Sequence, residues 1–167
     1  MRSVMRKAVG LGVFLAAAGA MAAVPANAQS PRFVREYIAE TQGILAETEV
    51  ARKKFEVELG DADRPARAPA GAPGVGVERF QKSFGGTMDK LRGRVKKLNE
   101  SRQRAERTLS PKEAQFTGEV HGDLMNLMQR MAMSQLLVTE PPPRRAAFFE
   151  EIGKQAEGLR RKLQAYQ

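Results

Sequence analysis

The residues best suited to chemistry in this chain lie on one predicted helix, where a histidine is followed by regularly spaced methionines. His121, Met125 and Met128 are separated by four and three residues, which places one imidazole and two thioethers on one helix face. Imidazole and thioether groups are ligands suited to Cu(I). The spacing therefore predicts a candidate copper site at these three residues.

The same methionines also fit a role without metal. Met131 falls on the apolar face of the predicted helix, and methionine commonly fills irregular gaps in helical cores. Met125, Met133 and Leu136 fall on roughly the opposite side of that helix. The sequence therefore leaves two interpretations open, a soft-metal site and a flexible apolar surface for a partner.

Catalysis is not favoured by the arrangement of reactive side chains. His121 is the one histidine of the chain, and its helical neighbours do not form a set of nucleophile, base and orienting acid. The sequence shows no convincing pair of carboxylates, phosphate-binding loop or cofactor fingerprint. We therefore predict a protein that is not an enzyme and has no catalytic residues or required cofactor.

A second chemical feature is positive charge. The chain carries 28 Lys and Arg against 19 Asp and Glu, for a net charge of +9. Basic residues run through a predicted helix at 87–108, but no aromatic residue between Phe84 and Phe116 is placed to stack on bases, so no nucleic acid partner is expected. We predict a surface for protein clients or an anionic envelope surface, formed by Lys90, Arg94, Lys97, Met125, Met133 and Leu136.

The segments that position these groups have helical periodicity. Apolar residues recur at three- and four-residue steps in four stretches, and none shows the alternation of a strand. We predict an all-α fold, either an antiparallel four-helix bundle or an elongated helical hairpin that forms a homodimer. Gly85-Gly86 disfavours a helix interior, so the second helix is predicted only from residue 87. A Pro-, Gly- and Ala-rich linker is predicted at 60–76.

The amino-terminal residues predict export. Three basic residues precede an apolar run at 8–23, and small residues follow at Ala26 and Ala28, which predicts a signal peptide at 1–28 and a single helical domain at 29–167. We expect a periplasmic or secreted protein with no transmembrane span after cleavage. The chain has no Cys, which excludes disulfides, covalently attached c-type haem and thiolate metal sites.

One short motif marks the start of the third helix. In Leu109-Ser110-Pro111-Lys112-Glu113, Ser110 is the predicted N-cap and Glu113 closes a capping box. In an exported, basic, helical chain without Cys, these residues resemble the Leu-Thr-x-x-Gln motif of Spy/CpxP-like periplasmic stress proteins. The resemblance implies a curved helical hairpin dimer whose basic and apolar surface holds unfolded clients or a sensor domain. Helix 87–108 and the exposed methionines would form that surface.

Overall fold

The structure, a computed structural model, describes residues 26–61 and 75–166 of the chain, and all regular elements in these two ranges are helical. The four α-helices are α1 (Ala26–Asp61), α2 (Val75–Ala105), α3 (Pro111–Met133) and α4 (Pro142–Tyr166). Short 3₁₀ helices at Glu106–Thr108 and Ser134–Thr139 follow α2 and α3. The predicted all-α fold class is confirmed.

Two sequence predictions fall mostly outside the described residues. The signal peptide predicted at 1–28 lies outside them up to residue 25, and the linker predicted at 60–76 lies outside them from 62 to 74. The remaining residues of both segments belong to helices, because α1 begins at Ala26 and ends at Asp61, and α2 begins at Val75.

α1 buries the predicted apolar stripe together with two threonines. The hydroxyls of Thr41 and Thr48 donate hydrogen bonds of 2.8 Å to the backbone carbonyls of Tyr37 and Ile44, one helical turn earlier. Each hydroxyl is therefore satisfied within its own helix, which lets it lie in an apolar core. The buried apolar residues of α1 are Val34, Tyr37, Ile38, Ile44, Leu45, Ala51, Phe55 and Leu59.

α2 differs from the sequence prediction at its start. It is one continuous helix through Gly85 and Gly86, so the predicted start after these glycines is wrong. The reason lies in Phe80 and Phe84, whose ring centroids are each 5.3 Å from that of Phe55 in α1. Burying a phenylalanine side chain contributes about 1.5–3 kcal/mol. Two such rings outweigh the roughly 2 kcal/mol by which two glycines disfavour a helix.

The start of α3 is the predicted capping box. The backbone N–H of Glu113 donates to Ser110 Oγ at 3.4 Å, and the backbone N–H of Ser110 donates to Glu113 Oε2 at 2.8 Å. At the other end of α3, the buried hydroxyl of Ser134 donates to the carbonyl of Met131 at 2.6 Å, where the α-helix gives way to the 3₁₀ helix. Both ends of α3 are thus fixed by local hydrogen bonds.

The four helices share one contiguous core of buried apolar side chains. α1 packs against α2, α3 and α4, and α3 also packs against α2 and α4. At the start of α4, the guanidinium of the buried Arg145 donates a hydrogen bond to the carbonyl of Leu59 near the end of α1. A carbonyl in the last turn of a helix has no partner within that helix, so Arg145 satisfies it.

The four helices differ in length and in the share of apolar residues that they contain. Over the described ranges, none of them combines the length and the apolar character that crossing a bilayer requires. The stripe predicted for α4, with apolar residues at alternating four- and three-residue steps, lies on one face of the helix. Its first five members are buried and its last, Tyr166, is half-buried with its ring stacked on that of Phe116. The five buried members are Phe149, Ile152, Ala156, Leu159 and Leu163.

Candidate functional site

A groove of about 560 Å³ lies between α2 and α3 and is the candidate functional site, called the α2–α3 groove below. Most of its lining is apolar, and no acidic side chain lines it. A volume of this size accommodates a small ligand or several side chains of a larger partner. The lining residues are Arg92, Val95, Lys96 and Asn99 from α2 and His121, Met125, Met128, Gln129 and Ala132 from α3.

The helical phase of α2 decides which of its basic residues reach this groove. The buried stripe of α2 includes Leu91, Val95 and Leu98. The residue that follows each of these three lines the α2–α3 groove. The residue that precedes each of them lies on the side of α2 that faces α1. The first set is Arg92, Lys96 and Asn99, and the second set is Lys90, Arg94 and Lys97.

The basic residues on the side of α1 are compensated by acidic residues. Arg94 forms ion pairs with Glu40 at 2.6 Å and with Glu47 at 2.9 Å. The hydrogen bond to Glu40 is the main reason that the pKa of Arg94 is raised. Lys90 also contacts Glu47, at 3.3 Å. These two cations therefore hold α1 and α2 together and do not extend the groove on the other side of α2.

Lys97 is the third basic residue predicted to bind a partner, and it also lies away from the methionines of α3. It lines a separate cleft between α1 and α2 that includes Glu36 and Glu40. The structure therefore does not bring Lys90, Arg94 and Lys97 together with the predicted apolar residues.

The predicted apolar contact residues are exposed. Met125 and Met133 have 50% and 47% of their surface exposed, and Leu136 has 68%. These three side chains are called the apolar strip below. Met125 lines the groove, and Met133 lies one helical turn beyond Gln129, which also lines it, on the same row of α3 side chains. The strip therefore continues the groove along the outer side of α3 and the following 3₁₀ helix.

His121 contributes an uncharged polar group to the groove. Its Nδ1 atom is buried and has no hydrogen-bond partner in the part of the chain that the structure describes. Burial lowers the pKa of His121, and the positive charge of Arg102 lowers it further. Both causes favour the neutral imidazole, the form that can accept a hydrogen bond or a metal ion.

The three predicted copper ligands line the same groove. His121 has the neutral imidazole that metal binding needs, and Met125 and Met128 supply thioethers on successive turns of α3. The charges around them are those of Arg92 and Lys96, with no carboxylate in the lining. Across residues 26–61 and 75–166, no cluster of three His, Asp or Glu side chains could hold a metal ion. Copper binding at the three sulfur and nitrogen ligands stays a prediction.

No family model, curated protein or solved structure matches this chain. The resemblance to Spy/CpxP-like proteins therefore stays a prediction.

The sequence did not predict Arg92, Lys96 and Gln129 as binding residues. The basic run contains Arg92 and Lys96, but periodicity alone does not say which neighbouring helix lies on each side of α2. A signal was present in the acidic residues of α1, because Glu40 and Glu47 are spaced by seven and lie on one face. That spacing indicates a helix that neutralises only one side of its basic neighbour.

Proposed function

We propose that this protein is an exported, non-enzymatic binding protein that holds partners reversibly in the α2–α3 groove, as a periplasmic chaperone or stress adaptor does. The observation that supports this function is the combination of accessible apolar side chains, those of Met125 and Ala132, with the cations of Arg92 and Lys96. Apolar side chains of a partner would leave water in such a groove. Acidic groups of the partner would be attracted by the two cations.

The methionines suit a surface that accepts partners of different shape. Met125 and Met133 are exposed, unbranched and flexible, so they adapt to a partner at low cost in strain. Ion pairs at an exposed rim each contribute only about 0.2–1 kcal/mol. Binding built from these two contributions is reversible, as the release of a client requires.

The proposed architecture is an antiparallel four-helix bundle of one chain. Buried stripes from all four helices meet in one core, and the connection from α2 to α3 is short. A hairpin dimer would leave the main apolar stripes of a single chain uncovered, whereas here these stripes are buried within one chain and the exposed strip on α3 and its 3₁₀ helix is short. Solution scattering combined with light scattering should therefore give the mass of one chain and a compact shape, whereas an elongated dimer would contradict the proposal.

Export is proposed from the leader predicted at 1–28. Protein recovered from the periplasm or the medium should begin at Gln29, after cleavage of the leader. Intact Met1 on protein isolated from the cytosol would contradict this location.

The binding function is tested by suppression of aggregation. We expect the mature protein to reduce the light scattered by an aggregating client at stoichiometric concentration. Replacing the apolar strip by serine, in Met125→Ser/Met133→Ser/Leu136→Ser, should abolish most of this effect. A matched control is Val50→Ser/Val57→Ser, which removes side chains of α1 that are 69% and 62% exposed. An unchanged scattering curve with the wild-type protein would refute the function.

A second candidate function is copper binding, favoured by the shared location of His121, Met125 and Met128 in one groove. Titration with Cu(I) against a competing chelator should then give binding tighter than micromolar. Met125→Leu/Met128→Leu removes both thioethers and keeps the volume of the side chains nearly constant. Binding that this variant leaves undiminished would exclude the site.

A further inference from the structure

The positive charges of the α2–α3 groove are less neutralised by nearby carboxylates than those on the other side of α2. Arg92 has no ion pair within the described residues, and Lys96 contacts only Glu100, at 4.0 Å on the same helix. The side chains of that pair are 80% and 48% exposed. A pair so long and so exposed neutralises little charge. The α1 side differs, since Arg94 there contacts two carboxylates at under 3 Å.

The apolar strip has the length of several helical turns. The path from Met125 to Met133 along α3 is about 12 Å at 1.5 Å per residue. The step to Leu136 through the 3₁₀ helix adds about 6 Å at 2.0 Å per residue. The row of side chains from Met125 to Leu136 is therefore about 18 Å long, with Gln129 as a polar member, and corresponds to roughly three turns of a partner helix.

The polarity of the groove favours a helix over an extended chain as occupant. Most of the surface in the groove is apolar, and its hydrogen-bonding groups are confined to five side chains, those of Arg92, Lys96, Asn99, His121 and Gln129. An extended peptide would bring a row of N–H and C=O groups into contact with walls that offer few partners for them. A helix satisfies these groups internally and presents only side chains, so it fits this lining at lower cost.

We propose that the segment bound in the α2–α3 groove is an acidic amphipathic helix of about three turns. Its apolar face would lie on the apolar strip, and its carboxylates would face Arg92 and Lys96. This inference rests on the proposed binding function and specifies the class of partner for the same groove. It follows from charge complementarity, because the groove has two cations and no acidic residue in its lining.

The test uses three labelled helical peptides with the same apolar face and with Glu, Gln or Lys at the polar positions. Fluorescence anisotropy should show that the Glu peptide binds the mature protein about tenfold or more tightly than the Lys peptide, as expected for two rim contacts that change from attraction to repulsion. Arg92→Glu/Lys96→Glu should invert this order. The control Lys112→Glu/Arg161→Glu makes the same change in net charge at exposed residues outside the groove and should keep the original order.

Each outcome separates this inference from the function on which it rests. Equal affinity for the three peptides, together with suppression of client aggregation, would refute the acidic partner and leave the binding function intact. A Glu peptide with a central proline should bind much more weakly, and equal binding of that peptide would refute the helical form of the partner. If no peptide binds and aggregation is not suppressed, both proposals fail. Circular dichroism of every variant confirms that it is folded.

Discussion

Replacing the two adjacent glycines in α2 tests the part of the fold that departs furthest from the sequence prediction. Gly85 and Gly86 lie in the interior of α2 and are exposed, and a Cβ atom added at either position meets no side chain and no other helix within 4 Å. Alanine is more favourable than glycine in a helix by about 0.8–1 kcal/mol. Gly85→Ala/Gly86→Ala should therefore raise the free energy of unfolding by about 2 kcal/mol.

The measurement is urea denaturation followed by far-ultraviolet circular dichroism. With a slope of about 2 kcal/mol per molar urea, the midpoint of unfolding should increase by about 1 M while the slope stays constant. Gly43→Ala is the contrasting variant, because its Cβ atom would lie 3.0 Å from Nη2 of Arg94. Arg94 is held by Glu40 and Glu47, so it cannot move away freely and the gain should be smaller.

A double variant that is no more stable than the wild type would refute this reasoning. It would mean that α2 is not helical at the two glycines and that the phenylalanines before them do not hold the helix against α1. Hydrogen exchange gives an independent check, since amides of residues 85–90 should become better protected in the variant if that segment is helical.

Three further predictions concern single buried groups. Burial lowers the pKa of His121, so the unfolded chain takes up a proton before the folded protein as the pH falls below about 6.5. The free energy of unfolding should therefore decrease over this range, and His121→Gln should flatten this part of a stability–pH curve. Arg145→Met should cost about 2 kcal/mol in urea denaturation, because the carbonyl of Leu59 loses its charged donor. Burial raises the pKa of Tyr37 to about 12, so tyrosinate absorbance should show one titration at high pH that Tyr37→Phe abolishes. The free energy of unfolding should fall as the pH rises from about 10 towards 12. The same variant removes a 3.1 Å hydrogen bond to the carbonyl of Thr117, worth about 1 kcal/mol.

The elements of this fold could be predicted largely from local chemistry. The capping box at Ser110 and Glu113 depends on residues three apart, and the sequence shows both partners. The four-three stripe of α4 is equally local, and all of its predicted members except the half-buried Tyr166 are buried. The start of α2 could not be predicted in this way, because it depends on Phe80 and Phe84 meeting Phe55 in another helix.

The candidate site could be predicted only in part for the same reason. The spacing of His121, Met125 and Met128 places them on one helix face, and they do line one groove. The choice of basic residues required the position of α1, whose Glu40 and Glu47 take up one side of α2. The periodicity of α2 alone does not show that one of its sides forms ion pairs with α1.

The exposure of the apolar strip makes its two methionines accessible to oxidants. Among the methionines that the structure describes, peroxide or hypochlorous acid should convert Met125 and Met133 to sulfoxides first, because Met88, Met128 and Met131 are buried. Each sulfoxide would place a polar S=O group on the apolar strip, so oxidation should weaken the proposed binding of apolar partners. Methionine sulfoxide reductases reverse this oxidation, so an enzyme could restore the two thioethers without new synthesis of the protein.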